Sequence, residues 1–184
     1  LTKAWVELQK KDPSKERTLF SVCTGSLLLA KAGILQGLAA TTHPDHYTRL
    51  EMLAQDASVK DTGIRTDVME ERYVVNNARF DLGEKPEDNP FITSRKPDAR
   101  RPSIIQPRKG SESFKQAKRR ESLLKRANMP LGGLRLITAG GITCGMDAAL
   151  YLVAALVSVE SAHEVARITQ LNWQKGVTVE GIDV

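Results

Sequence analysis

Residues 18–43 read TLFSVCTGSLLLAKAGILQGLAATTH, and this stretch decides the fold. Thr18 to Val22 is short, β-branched and aromatic, which suits a buried strand, and Ser26 to Ala32 is a run of good helix formers ended by Gly33. Cys23, Thr24 and Gly25 therefore fall on a sharp strand-to-helix turn. A thiol there sits at a helix N-terminus, where unpaired N–H groups and the positive end of the helix dipole favour thiolate. The alternative is a buried cysteine serving as a small hydrophobe. After Gly37, Leu38 to Thr42 reads as a second brief parallel strand whose carboxyl end delivers His43. Sites in open α/β sheets lie at the carboxyl ends of strands, so Cys23 and His43 are expected on one rim. His43 is a candidate hydrogen-bond partner or proton shuttle, with a structural role before Pro44 as the alternative.

Two blocks carry a family resemblance: VCTGSLLLAKAGILQGLAATTHP and, nearer the C-terminus, LRLITAGGITCGMDAALYLVAALV. Together they resemble the DJ-1/PfpI superfamily, also called class I glutamine amidotransferase-like, and most of all its isonitrile hydratase and AraC-regulator-like branch. The resemblance implies a flavodoxin-like three-layer α/β sandwich with a mainly parallel sheet and a nucleophile elbow. It makes Cys23 the nucleophile with His43 close to it. It also places the turn from Thr138 through Gly140 and Gly141 beside the sulfur, with Thr24 and Gly25 at the oxyanion side of the pocket. The family fold puts several strands before its cysteine strand, whereas only Leu1 to Arg17 precede it here. Those strands are expected to be missing from this chain, together with the acid that shares a proton with the cysteine. Asp12 and Glu16 lie in a polar segment and are not promoted to that role.

Length and composition bound the rest. A chain of 184 residues with 41% hydrophobic content can bury one substantial core, so a single domain over 1–184 is expected. Two cysteines without metal-ligand spacing, no apolar run long enough for a bilayer and no signal-peptide pattern point to a reduced, cytoplasmic protein needing neither metal nor cofactor. The chain opens at Leu1 rather than Met, which suggests a processed chain or a piece of a longer one.

Between about 81 and 130 the character changes to Pro, Ser, Lys and Arg, read as an insertion that interrupts the domain. Arg79 to Arg126 holds 14 basic and 7 acidic residues, while the whole chain is only +5. The basic balance thus belongs to the insertion and not to the scaffold. It has little aromatic interleaving, so nucleic acid is not an expected partner. Ser113 to Asn128 reads as a basic helix inside it.

Elsewhere Leu1 to Lys11 has one apolar helical face, a helix should run to Gln55 after Asp45, and Arg72 to Asn76 and Leu134 to Thr138 read as strands. A helix is expected over Met146 to Val157, with Asp147 stabilising its first turn and Cys144 packing at its start; a last helix covers Ser161 to Trp173. The function implied by the resemblance is attack of Cys23 on a small electrophile, such as hydration of an isonitrile to an N-substituted formamide. Two other readings stay open: glyoxalase III or deglycase-like action on a 2-oxoaldehyde, and a non-catalytic redox or ligand sensor. The expected partner is a small-molecule substrate, with a homodimer as the assembly.

Overall fold

A computed structural model describes residues 1–15, 17–60, 63–78, 92–94 and 128–179. Five strands form the main sheet in the order β1-β6-β4-β7-β5: β1 Thr18–Val22, β4 Tyr73–Asn76, β5 Ile92–Ser94, β6 Arg135–Ala139 and β7 Gly176–Val179. Only the β4–β6 pairing is antiparallel; β1–β6, β4–β7 and β5–β7 are parallel. The helices are α1 Thr2–Lys11, α2 Gly25–Lys31, α3 Tyr47–Lys60, α4 Ile142–Leu156 and α5 Val159–Ile168. The expected flavodoxin-like α/β sandwich is what the chain adopts, with helices on both faces of the sheet.

Strand alternation assigns the two faces. Along β6, Ile137 and Ala139 join Tyr73 and Val75 of β4 in a core closed by α4, α5 and Trp173. Leu136 points the other way, into a core made with Val6 of α1, Leu29 and Ala30 of α2 and Leu50 of α3. A period of two thus sends successive residues of one buried strand into opposite layers. Among the described residues no helix is long and apolar enough to cross a membrane.

Three expectations are corrected. The strand before His43 does not enter the main sheet: β2 is only Ala39–Ala40 and pairs with β3, Asp67–Val68, in a separate parallel ladder. The opposite edge of β2 is met by side chains in place of a strand. The Asn76 amide accepts from the Ala39 N–H at 3.1 Å and donates to the Ala39 carbonyl at 2.7 Å, and the Thr138 hydroxyl accepts from the Thr41 N–H at 2.9 Å. The stretch read as an insertion also contributes a strand to the main sheet. Ile92–Ser94 pairs with β7 at the sheet's end, a position compatible with the prolines on either side. The rest of the insertion, with the expected basic helix, lies outside the described residues apart from Asn128 to Pro130.

The third correction concerns α4, which starts at Ile142, directly after Gly141, four residues earlier than its apolar run suggested. Asp147 is consequently past the first turn. It is fully buried and ion-paired with Arg72, so it does not serve the helix dipole. The last helix is α5, with the Ser158 hydroxyl accepting from the Ser161 N–H at its start.

Candidate active site

Cys23 follows β1 directly and adopts φ +56, a left-handed conformation that costs a residue with a side chain about 1 kcal/mol. Such a conformation persists only when its surroundings hold it. The Cys23 N–H is directed at the carbonyls of Ala139 and Gly140, at 2.9 and 2.8 Å. The Cys23 carbonyl accepts two hydroxyls, Ser26 at 3.2 Å and Thr42 at 3.1 Å. The residue is partly exposed, so the turn presents it at the protein surface while its backbone is fixed on both sides.

Thr24 is the N-cap of α2 and Gly25 its first residue. The leading N–H groups of a helix have no intrahelical acceptor by position. Thr138 has a different setting from the other predicted pocket residues. It is fully buried and its hydroxyl is occupied by the Thr41 N–H, which makes it the fastener between β6 and the His43 loop.

His43 caps the short turn of 3-10 helix Pro44–His46. Its Nδ1 accepts the Asp45 N–H at 3.3 Å and lies 3.6 Å from the Asp45 carboxylate. An Nδ1 used as acceptor leaves the proton of the neutral ring on Nε2, which is then a donor. The ring lies beside Gly141, where an added Cβ would come 4.0 Å from His43 Cδ2. Gly140 is equally enclosed. A Cβ on it would meet the Thr42 carbonyl at 3.3 Å and the Cys144 sulfur at 3.5 Å. Cys23, His43, Gly140 and Gly141 thus converge on the turn between β6 and α4.

A second set of residues supports that turn, and sequence reasoning assigned it no role at the site. The Gly140 N–H donates to the Arg72 carbonyl at 3.0 Å. The Arg72 side chain donates to Asp147 Oδ2 through Nε at 2.8 Å and Nη2 at 2.5 Å, and through Nη2 to the Thr143 hydroxyl at 3.3 Å. Asp147 is held in turn by the Gln174 N–H at 3.0 Å, and its carbonyl accepts the Trp173 indole N–H at 3.1 Å. Arg72 and Asp147 are 75 positions apart, so no local spacing could have linked them.

A shallow groove lined by Glu51, Arg65 and Asp67 lies between α3 and β3 and includes none of the predicted site residues. Among the described residues no group of His, Cys, Asp or Glu is arranged to hold a metal ion. A partly exposed cysteine on a fixed backbone and an imidazole bordering the same glycine turn are residue types that nucleophilic chemistry uses.

A family model described as the DJ-1/PfpI family matches residues 1–101, more than half of the chain. No curated protein matches it at a significant level.

Proposed function

The chain belongs to the DJ-1/PfpI family, and we propose that it is a cysteine-dependent enzyme acting on a small electrophile, with hydration of an isonitrile to an N-substituted formamide as the reaction. The observation that carries this reading is the left-handed Cys23, clamped through its N–H and its carbonyl while His43 lies across the Gly140–Gly141 turn. Strained conformations held in place by their surroundings cluster at functional sites.

In the proposed sequence the Cys23 thiol adds across the terminal carbon of R–N≡C: the sulfur forms the carbon–sulfur bond and the thiol proton ends on the same carbon, giving a thioimidate R–N=CH–S. Water then adds to that carbon, its hydroxyl forming the carbon–oxygen bond and its other proton going to nitrogen, while His43 Nε2–H hydrogen-bonds the reacting atoms. Collapse breaks the carbon–sulfur bond, returns the hydroxyl proton to the Cys23 sulfur and leaves R–NH–CHO. The sum is isonitrile plus water, with the protein regenerated. The Thr24 and Gly25 N–H groups, at the start of α2, would stabilise negative charge as it develops.

The test is steady-state hydration of an aryl isocyanide alongside conversion of methylglyoxal, each with wild type, Cys23→Ala and His43→Asn. The proposal expects formamide production that both variants lose. Cysteine-dependent turnover of methylglyoxal alone would replace it with the glyoxalase-type reading. No turnover of either, with selective peroxide oxidation of Cys23, would replace it with the sensor reading. A homodimer is part of the same proposal, and light scattering on the purified protein checks it.

A further inference from the structure

Cys23, Gly140 and Arg72 form one transverse row at the rim of the sheet. The paired registers end at Val22 with Ala139 and Ala139 with Tyr73. One residue further out, the Cys23 N–H donates to the Gly140 carbonyl at 2.8 Å and the Gly140 N–H donates to the Arg72 carbonyl at 3.0 Å. The row spans two strand spacings, about 10 Å between the backbones of Cys23 and Arg72. Gly140 is the shared middle member, and nothing regular restrains it, because β6 has ended at Ala139 and α4 begins only at Ile142.

We propose that Arg72 is a positioning residue for the nucleophile, acting through Gly140 and itself fixed by the buried carboxylate of Asp147. This rests on the reading of Cys23 as nucleophile and adds the residue that sets its geometry. Arg72 lies just before β4, where the chain has no ladder of its own to hold it. Its guanidinium supplies that anchorage by bonding Asp147 through two nitrogens and Thr143 through one, so the start of α4 and the approach to β4 move as one piece. Asp147 is fully buried and its second oxygen is taken by the Gln174 N–H, so the pair is fastened to the segment leading into β7. A displacement of Arg72 is transmitted to Gly140, whose carbonyl is, with that of Ala139, one of the two acceptors of the Cys23 N–H at the left-handed turn.

The test is native-state alkylation of Cys23 by iodoacetamide, read by peptide mass spectrometry, in Arg72→Met, Arg72→Lys and Asp147→Asn, with the rate in the urea-unfolded chains as reference. This readout needs no substrate, so it stays valid even if neither isocyanide nor methylglyoxal is turned over. The expected result is at least a fivefold slower reaction at Cys23 in native Arg72→Met, partial recovery in Arg72→Lys and an unchanged rate in the unfolded chains. If Arg72→Met does not fold, Asp147→Asn carries the same expectation, because it keeps the shape of the carboxylate while removing its charge. Cys23 reacting within twofold of wild type in the folded variants, whatever their denaturation midpoints, would overturn the proposal. So would a rise toward the rate of the unfolded chains, which marks general loosening.

Discussion

The Thr42 hydroxyl donates to the Cys23 carbonyl at 3.1 Å, so the segment that delivers His43 is tied directly to the turn that carries the sulfur. Thr42 is fully buried. Thr42→Val keeps the shape and removes the donor. It should lower the unfolding free energy by about 1 kcal/mol in urea titration, since the Ser26 hydroxyl still reaches the same carbonyl. Turnover should fall through kcat with little change in KM, and Thr42→Ser should retain both.

Asn76 performs a strand's work with a side chain, pairing with both backbone groups of Ala39. Asn76→Ala should cost about 2 to 4 kcal/mol, because two buried hydrogen bonds are lost and the Ala39 groups are left without their partners. Asn76→Asp should not rescue it at neutral pH. It retains an acceptor for the Ala39 N–H but has no donor for the carbonyl, and it introduces a buried charge. Chemical denaturation of the two variants checks both statements.

Gly145 is buried in α4 against Val22, and a Cβ there would come 2.7 Å from Val22 Cγ1. Replacing a helical glycine by alanine ordinarily gains about 0.5 to 1 kcal/mol, whereas overpacking costs about 1 to 3 kcal/mol. Val22 is β-branched and stiff, so the clash should win and Gly145→Ala should be destabilising. In the double variant with Val22→Ala the clash disappears and the helical gain should show. A double-mutant cycle with favourable coupling is the expected outcome.

Burial pushes the Tyr73 and Tyr151 phenols well above their ordinary range. In the unfolded chain both ionise near pH 10. Below that pH the two states bind the same phenolic protons; above it the unfolded state loses them while the native state keeps them. Stability should therefore fall as pH rises beyond about 10. Tyr151→Phe retains the ring and should flatten the alkaline limb of a stability–pH curve, with no effect on its slope at pH 7.

Much of this architecture was legible in residues 18–43, because a β-branched run, a Cys-Thr-Gly turn and an apolar helix each announce themselves locally. The same holds for β4 and β6, whose apolar character survives burial on both faces. The partner of Ala39–Ala40 is not legible in the sequence, because hydropathy records burial and not which neighbour supplies the hydrogen bonds. Asn76 and Thr138, the side chains that meet β2, look like ordinary polar residues in a strand. Ile92–Ser94 was masked by surrounding prolines, although an edge strand tolerates them. Asp147 reads in sequence by its nearness to a helix start, while its actual partner, Arg72, lies just before β4. Pairings of that kind are set by the folded topology, and a single sequence holds no trace of them.

The strand order has a consequence for how the protein is made. The ladder between β1 and β6 joins residues as far apart as Thr18 and Arg135, so it cannot close until β6 has been made. β7 then slots between β4 and β5. During synthesis the cysteine turn would leave the ribosome long before the segment that restrains it. Assembly dominated by such distant contacts is slow and leaves unpaired strand edges open in the meantime. The nascent chain's need for protection from aggregation should accordingly persist until β6 and β7 have emerged.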